Sequence, residues 1–94
     1  MSLSHDAAET LALDALGWLV TNDEVLPVFL GATGASVEDL RIRAGEADFL
    51  GSVLEFLTMD DTWVVAFCDQ KGCGYDQPLI AAHVLLGTAR MHWT

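Results

Sequence analysis

Ninety-four residues, 52% of them hydrophobic and with a mean hydropathy of +0.36, suffice for one domain; two half-length domains could not each bury a core. Fourteen acids against four basic residues give a formal net charge of −10. This charge excludes phosphate backbones and anionic lipid surfaces as natural partners and leaves a basic protein as the complementary one, while also keeping an apolar domain dispersed.

No apolar run reaches the ~20 residues of a spanning helix, because Asp14 and Gly17 interrupt "LALDALGWLV" and "WVVAFC" is short. The N-terminus "MSLSHDAAET" places no basic residue ahead of an apolar stretch. The expectation is a cytoplasmic protein whose two cysteines are reduced.

The first predicted helix lies in "AAETLALDALGWLV", where Ala8, Leu11, Ala12, Ala15, Leu16 and Leu19 recur at three- and four-residue spacing and Glu9, Thr10, Asp14 and Gly17 stand apart. A second helix follows the cap Asn22 or Asp23, with Val25, Leu26, Phe29 and Leu30 on one face, Pro27 in the first turn and Gly34 as its left-handed end. Ser36 and Asp39 form a near capping box for a short third helix, whose apolar side is Val37, Leu40, Ile42 and Ala44. The fourth, "ADFLGSVLEFL", turns Phe49, Leu50, Val53, Leu54 and Leu57 inward. Asp60 and Asp61 open a fifth that Gly72 closes, and "YDQPLIAAHVLLG" supplies a sixth with Pro78 in its first turn.

Laying the chain over itself at an offset of 38 residues aligns Leu16 with Leu54, Trp18 with Phe56, Leu19 with Leu57, Asp23 with Asp61, Phe29 with Phe67, Gly34 with Gly72 and Ala44 with Ala82. The predicted fold is therefore one all-α domain over residues 1–94. It is a compact bundle of five or six short helices built as two three-helix pseudo-repeats, residues 9–46 and 47–84, with a tail over 88–94.

The stretch "FCDQKGCGYDQ" holds both cysteines. The repeat places Cys68 on Leu30 and Cys73 on Ala35, positions that ask for apolar or small residues, and a buried cysteine behaves as a small hydrophobe. A zinc site needs two further ligands beyond a Cys-x₂₋₄-Cys pair, and only His83 stands nearby in sequence. Cys68, Cys73 and His83 are thus the alternative, a small-ligand, metal-binding or enzymatic site. The main expectation is no cofactor, no metal and no catalytic constellation, with His83 partly buried on the side of Leu79 and Ala82.

The paired acids Glu38/Asp39, Glu46/Asp48 and Asp60/Asp61 each sit at a helix start, where negative charge favours the dipole. "ATGASVEDLRIRAG" is shaped like a helix-turn-helix, but Arg41 and Arg43 are half of all basic residues and acids flank them, so nucleic acid is not expected. The tail carries Met91 and Trp93 past Gly87.

"ALGWL", "DEVLPVFLGATGASVEDLR" and "FLGSVLEFL", in that order over residues 8–86, resemble a small, mainly alphaproteobacterial family of roughly ninety-residue domains of unknown function. The resemblance implies an all-α fold and a bacterial, cytoplasmic setting, and it brings no catalytic residues. Asp61-Thr62 stands where the family often has Asp-Glu, and the cysteines are not part of its pattern. The functional expectation is a non-enzymatic protein–protein interaction or regulatory module. It would act as a homodimer or with a basic protein, using Trp18, Trp63, Trp93, Arg41 and Arg43 as candidate contacts.

Overall fold

Ser4 accepts a hydrogen bond from the Ala7 N–H at 3.1 Å and starts α1 (His5–Val20). The computed structural model describes residues 3–90 and carries five further helices: α2 (Leu26–Thr33), α3 (Val37–Arg43), α4 (Ala47–Leu57), α5 (Asp61–Lys71) and α6 (Gln77–Arg90). No strand occurs among the described residues.

The helix ends repeat their chemistry only in part at the 38-residue offset. Asp60 Oδ1 caps α5 by accepting from Thr62 N–H at 2.8 Å, whereas Asn22 Oδ1 accepts from the Glu24 and Val25 N–H groups at 3.1 Å in the turn before α2, which starts after Val25 without the expected side-chain cap. Gly34 (φ 73°) and Gly72 (φ 82°) end α2 and α5 in the left-handed region, where a side chain would be strained. Their N–H groups donate to Leu30 O and Cys68 O at 2.8 and 2.7 Å. The capping box of α3 closes reciprocally, Asp39 N–H to Ser36 Oγ at 3.2 Å and Ser36 N–H to Asp39 Oδ2 at 3.0 Å.

The core sits where α1, α4 and α6 meet. All six residues predicted to point inward from α1 are buried, as are Phe49, Leu50, Val53, Leu54 and Leu57 of α4. At Gly51 a Cβ would lie 2.6 Å from Leu86 Cγ, so the glycine lets α4 and α6 approach. The radius of gyration of 12.5 Å is that of a packed domain of this length, about 12 Å. Three edge-to-face aromatic pairs cross between the halves: Trp18 on Phe67, and Phe29 on both Phe49 and Phe56.

The third helices differ from each other and from expectation. In α3 only Leu40 is buried, while Ile42 is 69% exposed and Val37 also faces solvent; two turns cannot turn four apolar residues inward. In α6 the buried side is Pro78, Ala81, Ala82, Leu85 and Leu86. That side turns Leu79 and His83 outward together, so His83 is exposed rather than partly buried. The helix also passes Gly87 and runs to Arg90, into the stretch read as a tail. Trp93 and Met91 lie outside the described residues.

Candidate functional site

Along α1, the residues not used in the core form a second stripe: Ala7, Thr10, Asp14, Gly17 and Trp18, followed by Thr21 just past its end, at helical spacing. This stripe and the last turns of α5 are the walls of a furrow. Its middle section, about 270 Å³, is lined by Asp14, Gly17 and Trp18 on one side and Phe67, Gln70 and Lys71 on the other. A second section of about 400 Å³ shares Trp18, Thr21 and Gln70 with it and continues to Asn22, Asp23 and Glu24. A third, about 310 Å³, shares Asp14 and Lys71 and ends on the apolar Leu3, Ala7 and Leu11. The whole runs beside a helix ~24 Å long by its residue rise.

One ion pair spans the furrow. Lys71 Nζ lies 2.7 Å from Asp14 Oδ2, an oxygen closed off from water whose only described partner is that ammonium, and which makes no well-directed hydrogen bond. Both side chains remain partly exposed, so the pair contributes no more than about 1 kcal/mol to stability. It neutralises the furrow's one described cation. Asp23 and Glu24 have no described ion pair, and their carboxylates accept no described hydrogen bond, which leaves that end negative.

Gly17 sits in the floor next to Trp18. Gly17 lies in the last turn of α1; a glycine in a helix costs up to about 1 kcal/mol relative to alanine, and at Gly51 the approach of Leu86 explains it. At Gly17 a Cβ would meet nothing within 4 Å. Gly31 in α2 and Gly87 in α6 are equally unconfined, but the space above Gly17 is the furrow itself. Trp18 is half-buried: it packs edge to face on Phe67, centroids 6.1 Å apart, and lines two sections of the furrow.

The other candidates are placed as follows. Trp63 is half-buried and stacked on Phe56 at 4.9 Å, a support for the core. Arg43 bonds Glu46 at 3.0 Å and lies over the Phe49 ring, while Arg41 is exposed. Beside these, α2 leaves Pro27, Val28, Gly31 and Ala32 in solvent with no charge among them.

Cys68 is buried and Cys73 half-buried, both as free thiols. Cys68 Sγ donates to Gly74 O at 3.5 Å, and the Tyr75 hydroxyl donates to Asp69 Oδ1 at 2.7 Å, fastening the turn after α5. Burial first, then the hydrogen bond with Cys73 and the negative charge of Asp69 and Asp76, push the Cys68 thiol up to about 12. The Asp69 bond and charge likewise raise Tyr75. His83 does not join the thiols. Among the described residues the one trio with donor atoms within 4.8 Å is His5, Asp6 and Glu9, on the open first turn of α1.

Of the furrow's lining residues only Trp18 is among the contacts the sequence points to, and the one linear signal for the rest is Gly17 beside that tryptophan. A family model described as a protein of unknown function (DUF3572) matches residues 5–88. No curated protein and no solved structure matches the chain. Among the described residues no helix is long and apolar enough to cross a membrane.

Proposed function

The chain belongs to the DUF3572 family of proteins of unknown function, and we propose that it is a non-enzymatic protein–protein interaction module whose binding surface is the furrow between α1 and α5. The observation that carries this reading is Gly17. Its helix penalty is not offset by any close packing inside the fold, yet it keeps the furrow open beside a half-buried tryptophan. An elongated, open groove beside a helix suits a polypeptide segment better than a compact small molecule.

Charge favours a basic partner. Two copies carrying −10 each repel, so of the two partner types the composition leaves open, a basic protein is preferred to a homodimer. Cys68, buried in the core with its thiol pKa raised, is withheld as a nucleophile near neutral pH.

The test compares the immobilised chain with its Gly17→Phe variant, checked as folded by circular dichroism, in capture from a bacterial lysate. A protein held by the wild type, lost from the variant and then shown by calorimetry to bind the purified chain with defined stoichiometry is the expected result. Retention of the same proteins by both would overturn the furrow as the binding surface.

A further inference from the structure

The two ends of the furrow differ in chemistry and ask for different things. At one end Leu3, Ala7 and Leu11 offer an apolar wall. At the other, Trp18 stands with Asp23 and Glu24, two carboxylates without described partners, and with the neutral amides Asn22 and Gln70. Between them the Asp14–Lys71 pair is already neutral and offers no net charge to an occupant.

Building on the interaction reading above, we infer that the furrow takes an amphipathic segment of a partner protein: apolar side chains lie toward Leu3 and Leu11, and an arginine seats against Trp18 between Asp23 and Glu24. A cation beside an aromatic ring is attracted by the ring's negative face, and the attraction grows as water is excluded. Arginine suits the place better than lysine, because its planar guanidinium stacks on an indole while its N–H groups still reach carboxylates. The two unpaired acids supply the charge, and the Asn22 and Gln70 side chains add no competing cation. Ala7 and Trp18 are eleven positions apart on α1, about 16 Å at the helical rise. A helical partner therefore presents its leucine-like residues about three turns from its arginine.

The measurement is calorimetric titration of the full chain. The probe is a short acetylated, amidated helical peptide with leucines at three- and four-residue spacing in one half and arginine in the other, made in both chain directions. A second peptide carries citrulline, the neutral isostere, in place of arginine. One direction of the arginine peptide is expected to bind about tenfold more tightly than its citrulline twin. That preference should fall to within about twofold in an Asp23→Asn/Glu24→Gln variant, but persist in the charge-matched Glu38→Gln/Asp61→Asn control.

Equal binding of the arginine and citrulline peptides overturns the arginine seat, as does equal loss of preference in the control variant, which would mark a general charge effect. No binding of either peptide overturns it too. Gly17→Phe separates the two levels. If it abolishes binding while arginine and citrulline remain equivalent on the wild type, only the arginine seat fails. If Gly17→Phe binds the arginine peptide as the wild type does, the furrow itself is not the surface and both readings fall. Self-association of the chain that both Gly17→Phe and Arg41→Gln abolish would make a second copy the occupant, through its exposed Arg41, and would overturn the separate partner.

Discussion

Phe56 meets Phe29 edge to face, ring centroids 5.0 Å apart and planes at 76°, and the contact joins the second helical unit to the first. Shifting both positions by 38 residues in opposite senses gives Trp18 and Phe67, which also meet edge to face, at 6.1 Å and 71°. The two contacts thus fall at equivalent positions of the 38-residue offset, while the helix packing does not repeat: α6 lies against both α1 and α4, and α3 does so with neither to a comparable extent.

Aromatic pairs in this geometry contribute about 0.5–1.5 kcal/mol beyond the area they bury. A double-mutant cycle with Phe29→Leu and Phe56→Leu, read from urea unfolding, should return a coupling in that range. Phe29→Ala alone, at a side chain with no exposure, should cost about 3–5 kcal/mol. A coupling indistinguishable from zero would mean the two rings touch without mutual stabilisation.

The glycines give a sharper contrast, because one substitution should change sign between two helices. Gly51→Ala drives a methyl group into Leu86, at 2.6 Å from its Cγ, and should lower stability by about 1–3 kcal/mol. Gly17→Ala meets nothing and should raise stability by about 0.5–1 kcal/mol. Equilibrium urea denaturation of the two variants beside the wild type decides it. A destabilised Gly17→Ala would show that the glycine serves the fold and would remove the argument for the furrow.

The capping box of α3, the left-handed end of α2 and the core stripe of α1 were legible in the sequence because each depends on residues close together in the chain. Ser36 with Asp39, Pro27 and Gly34, and the inward stripe of α1 each declare themselves within a few positions, and the structure places them as read. Ile42 and His83 were misplaced for a different reason. Periodicity says which residues share a face, but which face is buried depends on the neighbouring helix. In α6 the packing of Leu85 and Leu86 against Gly51 turns His83 outward. The furrow was still less visible, since its walls lie some fifty residues apart in the chain, Asp14 to Gly17 on one side and Phe67 to Lys71 on the other.

The two cysteines should differ in reactivity. At pH 8 a maleimide should label Cys73 readily and Cys68 only after unfolding, since Cys68 is 1% exposed and its thiol is pushed up to about 12. The folded value lies above the ordinary thiol value of 9.0. The folded state thus keeps a proton that the unfolded state releases at alkaline pH, and stability falls as pH rises from near 9 toward 12. Below pH 9 this contribution is fully present. Cys68→Ala should flatten the alkaline limb of a stability–pH curve; an unchanged limb would assign the loss to other groups.

The account rests on where a partner sits, and amide chemical-shift mapping reads this directly. With the arginine-bearing peptide added to the isotopically labelled chain, the largest shifts should fall on Ala7–Asp23 of the α1 side and on Phe67–Lys71 of α5. Shifts concentrated on α2, at Val28, Gly31 and Ala32, or on the Gly72–Tyr75 turn with α1 unmoved, would contradict it.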